Sequence, residues 1–203
     1  MSFLSDTKTA GWALLILGII NLIGALAVLV GAFDGGIVVS EIVVAIGAII
    51  MAVLYFRFGV SVKNGDIPKK IDILAYFVRL AGIGSIVSAI FNFWNNWEVS
   101  GGVTAIVSLI IGIIVGLIIL AISARINDGK QDTLDKIIWI ILVIMFILEI
   151  IGDIMGIVGI FTASLALDLS ILTIVVLPIV NLIIAIFMIC LLFDSDVKRE
   201  MNM

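Results

Sequence analysis

The sequence predicts an all-α, polytopic membrane protein: six transmembrane helices in three helical hairpins, with a pseudo-threefold internal repeat and both termini inside. Three observations predict it. The chain is 64% hydrophobic and 13% charged, whereas a soluble domain is nearer half apolar and about a quarter charged, so lipid must cover the excess. Six apolar runs are each long enough for the ~20 residues that a helix needs to cross a ~30 Å hydrocarbon layer. Of the 11 Lys and Arg residues, all but Arg79 fall at one end of those runs.

The runs are 10–33, 37–60, 71–94, 102–124, 136–161 and 170–193. They must be helices, because an exposed backbone group finds no water in lipid. The first run, Ala10 to Phe33, exceeds the ~7–15 residue core of a signal peptide, and no Ala-x-Ala site closes it; it reads as a retained span. Lys8 precedes it. Arg57, Lys63, Lys69 and Lys70 surround the second connection, Arg125, Lys130 and Lys136 surround the fourth, and Lys198 and Arg199 follow the last run. The first, third and fifth connections have no Lys or Arg and carry Asp34, Glu98 and Asp168. Short cytoplasmic loops collect Lys and Arg, so the pattern orients the chain N-in and C-in. The longest aqueous pieces are 61–70 and 125–135. Asn64-Gly65-Asp66 and Asn127-Asp128-Gly129 are turn-formers there, and Pro68 helps to end the first piece. Nothing remains for a soluble domain, so 1–203 is one transmembrane domain.

The two turns expose the repeat. "SVKNGDIPKKIDIL" (61–74) resembles "SARINDGKQDTLDKII" (123–138). A shift of 64 residues places Asn21 on Ser85 and Glu149, Gly24 on Ser88 and Gly152, and Ala25 on Ala89 and Asp153. The even spans align through "IGAIIMAV" (46–53), "IGIIVGLI" (111–118) and "LPIVNLII" (177–184). The repeat hairpins run over about 8–66, 71–130 and 135–199. Each has two spans, so all enter the membrane the same way, related by an axis along its normal.

Three Gly-rich hairpins with openings such as "GWALLILGIINLIGALAVLVG" (11–31) resemble the HdeD-like acid-resistance membrane proteins, a short-repeat family. The resemblance spans the chain and rests on architecture and Gly/apolar texture. It implies an integral membrane protein linked to stress tolerance and transfers no catalytic residue.

Composition excludes several chemistries. Histidine is absent, which removes the usual proton shuttle near neutral pH and the commonest metal ligand. The single cysteine, Cys190, forms no internal disulfide and no zinc spacing; it reads as a small apolar lining residue, with palmitoylation as the alternative. No basic stripe points to nucleic acid. No nucleophile–base arrangement or phosphate loop is present, so no enzyme activity and no cofactor are expected. The lipid bilayer is the implied partner, with other membrane proteins or a second copy as further ones. The Ile-rich text with Lys and Asn suits the plasma membrane of a low-GC prokaryote.

Ionisable groups inside a membrane are costly and mark function by default. Glu149 lies about halfway along the fifth run, and Asp153 follows four residues on, hence on the same helix face. Asn21 and Asn181 lie near the middle of the first and sixth runs. Two readings stand. In one, the repeat-equivalent Asn21, Ser85 and Glu149 meet near the bundle axis, and Glu149 and Asp153 bind a cation or relay protons, as in a small transporter or channel. In the other, the acids are hydrogen-bonded across helices and hold a non-enzymatic structural or partner-binding protein together. Arg79 also has two readings: its stem snorkels to the inner headgroups, or it pairs with Glu149. Gly112-x-x-x-Gly116, Gly152-x-x-x-Gly156 and Ala48-x-x-x-Ala52 allow close helix approach, expected mainly within the chain. Pro178 is expected to kink the last span and free the carbonyl near Ile174. Trp94 and Trp97 should anchor the outer interface, and Trp12 and Trp139 the inner one.

Overall fold

Apolar runs without an interior proline have no alternative to the helix in lipid, and helices account for the chain. The computed structural model describes residues 7–33, 37–129, 132–162 and 177–203. Asp34, Lys130, Asp168, Ile174 and the stretch 170–176 lie outside the described residues. The helices are α1 (Thr7–Gly31), α2 (Val39–Asn64), α3 (Lys70–Phe91), α4 (Phe93–Ser100), α5 (Gly102–Ile126), α6 (Thr133–Thr162), α7 (Leu177–Leu192) and α8 (Ser195–Glu200). Five stretches, α1, α2, α3, α5 and Thr133–Gly159 of α6, are long and apolar enough to cross a membrane. The described part of the sixth run, 16 residues of α7, is about 24 Å long at 1.5 Å per residue. The chain is therefore a helical, membrane-embedded protein.

Glycine sets how the helices pair. Helix α1 packs chiefly on α2, α3 on α5, and α6 on α7. A Cβ built on Gly18 would lie 2.7 Å from the Phe56 backbone nitrogen, and one on Gly59 would lie 2.6 Å from that of Leu15. Gly116 sits equally close to Gly82, where its Cβ would lie 2.8 Å from the carbonyl oxygen. Ser123, in the last turns of α5, donates 3.0 Å to the Ala75 carbonyl in the first turns of α3, and Trp139 Nε1 donates 2.8 Å to Leu192 O. Starts face ends in every pair, so the partners run antiparallel. The α2 turn closes as its residues dictate: Gly65 takes φ 79°, and the Gly65 and Asp66 N–H groups reach the Val62 and Ser61 carbonyls, a Schellman-type stop.

The basic ends of the pairs meet, and the core lies there. Its residues are Ala10–Ile20 of α1, Phe58 and Val62 of α2, Ile71–Leu80 of α3, Ile138, Leu142 and Phe146 of α6, and Val180–Leu192 of α7, with Val197 and Met201 beneath. No described residue of α6 after Phe146 is buried. Charges fasten the same end. Lys70 pairs with Asp194. Arg125 reaches Asp128 at 2.8 Å, Asp132 at 2.7 Å and Asp135 at 4.0 Å, and Asn127 donates to Asp72. Lys63 lies 4.3 Å from the centre of the Trp12 ring.

One boundary departs from expectation. The third run was expected to continue to residue 94, but α3 stops at Phe91 and α4 begins at Phe93. Asn92 makes the break: its amide donates to the Ser88 carbonyl one turn back, the local side-chain bonding that competes with helix continuation. The third connection is consequently a short helix, tied to α2 by Ser40 Oγ donating 2.8 Å to Glu98. The kink expected at Pro178 concerns the carbonyl near Ile174, which lies outside the described residues, and Pro178 is the second described residue of α7.

Candidate functional site

The sequence-derived polar residues sit on four helices, at and just above the core. Asn21 follows the buried Ile20, Ser85 follows the buried Gly82 by three residues, and Glu149 follows the buried Phe146 by three. Each of the three thus stands one to three residues beyond a buried position of its own helix.

Their partners are local. Asn21 Nδ2 donates 3.0 Å to Leu17 O of its own helix, and Ser85 Oγ donates 2.9 Å to Gly112 O across the α3–α5 seam. Asn181 is half-buried on α7. Among the described residues, no hydrogen bond or ion pair joins any two of Asn21, Arg79, Ser85, Glu149, Asp153 and Asn181.

The two acids differ in surroundings. Glu149 is exposed on the α6 surface. Asp153 is half-buried, and its Oδ2 is fully enclosed without a hydrogen-bond partner. A buried carboxyl oxygen left unpaired is costly, so this atom calls for a donor, a proton or a cation. Gly152, between them on the same face, has nothing within 4 Å of where a Cβ would stand. The glycine pairs therefore divide. Gly112 and Gly116 face Ala89, Ile86 and Gly82 inside the chain, whereas Gly152 faces open space and Gly156 only grazes Pro178 at 3.9 Å.

Arg79 is exposed. It lines a 280 Å³ cavity at the basic end with Asp66, Pro68, Asp72, Tyr76 and Asn127. That position matches the snorkelling reading, since the cavity lies toward the 61–70 turn and away from Glu149. Trp12 stands at the basic end beside Lys63. Trp94 and Trp97 stand at the far end, 55% and 44% exposed.

Sequence reading passed over part of the polar equipment. Ser88, Asn92, Asn96 and Ser108 line a further cavity with Ser85 and Gly112. The signal was present as a 3-4-4 spacing, Ser85, Ser88, Asn92 and Asn96, on one helical face. Comparisons of the chain with family models, curated proteins and solved structures gave no match.

Proposed function

We propose that this chain is a six-crossing, N-in and C-in protein of three repeated hairpins that acts without enzymatic chemistry, as a structural, stress-associated or partner-binding component of a prokaryotic plasma membrane. One observation supports it most. Gly152 faces open space and Glu149 is exposed on one face of α6, and on that face the enclosed Asp153 Oδ2 lacks a partner. Small residues beside hydrogen-bonding groups are what membrane helices use to associate. A carboxyl group turned toward lipid is stabilised when a partner helix covers it. Affinity purification from native membranes tests the reading. Partners, or a second copy, should co-purify with the wild-type chain and be depleted with Glu149→Gln and Gly152→Leu. A wild-type chain that elutes alone as a monomer in lipid nanodiscs refutes it.

One observation favours a second reading, a small transporter or channel with a proton or cation path through Glu149 and Asp153. The unpaired Asp153 oxygen is an arrangement that a bound cation or proton would satisfy. Against it, Asn21 and Ser85 spend their donors on local carbonyls, whereas ion paths draw ligands from several helices. In proteoliposomes, transport requires cation- or proton-driven flux that Glu149→Gln abolishes. The association reading expects no flux from either protein.

A further inference from the structure

At the end remote from the basic loops, α3, α4 and α5 form an open cavity of about 440 Å³ lined by Ser85, Ser88, Ala89, Asn92, Asn96, Ser108 and Gly112, with Ser88 and Ser108 exposed. It extends from α4, which carries Trp94 and Trp97, down α3 to Ser85. Seven residues separate Ser85 from Asn92, about 10 Å along a helix axis. Five of the seven lining residues carry a hydroxyl or an amide: Ser85, Ser88 and Ser108 within the apolar helices α3 and α5, and Asn92 and Asn96 in the connection between them. Polar side chains inside a membrane span are rare unless they have a use.

We infer that this cavity binds an uncharged polyhydroxy group, a sugar or polyol, supplied either as the headgroup of a membrane glycolipid or as a free solute. The hydrogen-bond capacity of the lining specifies the class. Ser85 Oγ donates to Gly112 O and keeps its lone pairs to accept. Ser88 Oγ accepts from Asn92 Nδ2 at 3.2 Å and keeps its proton to donate. Asn92 gives Nδ2 to Ser88 O at 2.9 Å and keeps Oδ1 to accept. The side chains of Asn96 and Ser108 have no hydrogen-bond partner among the described residues, and each both donates and accepts. Donors and acceptors therefore alternate along the slot. A hydroxyl is both donor and acceptor, so a row of hydroxyls meets this pattern where a purely donating or purely accepting ligand does not.

Charge narrows the class further. No ionisable side chain lines the cavity, so an ammonium or phosphate entering it would lose hydration without gaining a counter-charge. Aromatic rings complete the surroundings. Phe93 meets Trp94 edge-on at 5.5 Å and Trp97 at a tilt at 5.7 Å, centroid to centroid, and Trp97 lies against Gly102, where a Cβ would stand 2.7 Å from the ring. Trp94 and Trp97, 55% and 44% exposed, stand on the same short helix as Asn96, and a tryptophan ring is flat apolar surface of the kind that meets the C–H side of a sugar ring.

The test uses the full chain in an amine-oxide detergent that carries no sugar. Native mass spectrometry compares binding of monoglucosyl-diacylglycerol with plain diacylglycerol, with free glucose as competitor, for the wild type and for Asn96→Ala and Ser108→Ala. The glucosyl lipid should be preferred, and each variant should weaken it about fivefold, the effect of one hydrogen bond, with an unchanged melting temperature in the absence of ligand. Competition by free glucose then assigns a soluble ligand, and its failure assigns the lipid headgroup; either supports the site. If Asn96→Ala does not fold, Ser108→Ala decides alone. Equal binding of the two lipids, or binding that neither variant alters, overturns the inference.

Discussion

Replacing Gly18 by Ala should separate α1 from α2, whereas the same change at Gly152 should leave the fold intact. A Cβ on Gly18 would lie 2.7 Å from the Phe56 nitrogen, 2.9 Å from its Cα and 3.0 Å from the Ala52 carbonyl oxygen. All three are backbone atoms, so no side-chain rotation relieves the clash. Ordinary contact begins at 3.4 Å, so α2 must retreat by 3.4 − 2.7 = 0.7 Å. That movement loosens Gly11 against Lys63 and Gly59 against Leu15 on the same seam. Overpacking of this kind costs typically 1–3 kcal/mol, which at about 2 kcal/mol is roughly a thirtyfold loss in the folding constant. At Gly152 nothing lies within 4 Å, and Ala gains up to about 1 kcal/mol in helix propensity over Gly. Thermal unfolding of the two variants in one detergent separates them: Gly18→Ala should melt well below the wild type, and Gly152→Ala at or above it. Equal melting temperatures would refute packing of the hairpins by glycine contact.

Three other outcomes follow from the basic end and the seams. Ser123→Ala removes a fully buried hydroxyl that bonds the Ala75 carbonyl and should cost about 1 kcal/mol or less, the usual scale for polar contacts between membrane helices, read as a small fall in melting temperature. Lys70→Met removes the tie to Asp194, which links α3 to the segment after α7; for a partly exposed pair the expected loss is at most about 1 kcal/mol, shrinking in high salt. Burial opposes ionisation of Asp194, but the Lys70 ammonium and the Asp196 and Val197 N–H groups outweigh it and hold the carboxyl below its usual 3.8; the hydrogen bond from Arg125 holds Asp132 low in the same direction. A folded value below the unfolded one gives stability that is present above pH 3.8 and lost as pH falls through the lower value. The stability difference between wild type and Asp194→Asn should therefore be flat from pH 8 to about 5 and vanish in stronger acid; a difference that grows on acidification contradicts the assignment.

Five of the six expected spans were legible because apolar length is a direct consequence of bilayer thickness, and Gly65 and Gly129 mark their turns with positive φ. The facing sides of the helices were less so. Leucine against lipid and leucine against a neighbouring helix differ little in energy, so a run such as 102–124 does not reveal which side packs. Only its small residues do, and Gly112 and Gly116 were read correctly as contacts inside the chain. Gly152 has the same spacing motif and the opposite fate, because α6 leaves the core after Phe146. The start of α4 was hidden by hydropathy that continues through Phe93 and Trp94, while the break depends on the Asn92 amide. The partners of the polar residues were not legible: the carbonyls of Leu17 and Gly112 that occupy Asn21 and Ser85 carry no sequence signal.

Sidedness is the claim on which the rest depends. In a Cys190→Ala background, single cysteines at Asn64, Asn127 and Val99, all exposed, can be labelled in intact cells with a membrane-impermeant maleimide. The account predicts that Val99→Cys is labelled from outside, and that Asn64→Cys and Asn127→Cys are labelled only after the cells are opened. Labelling of Asn64→Cys and Val99→Cys from the same side would contradict it.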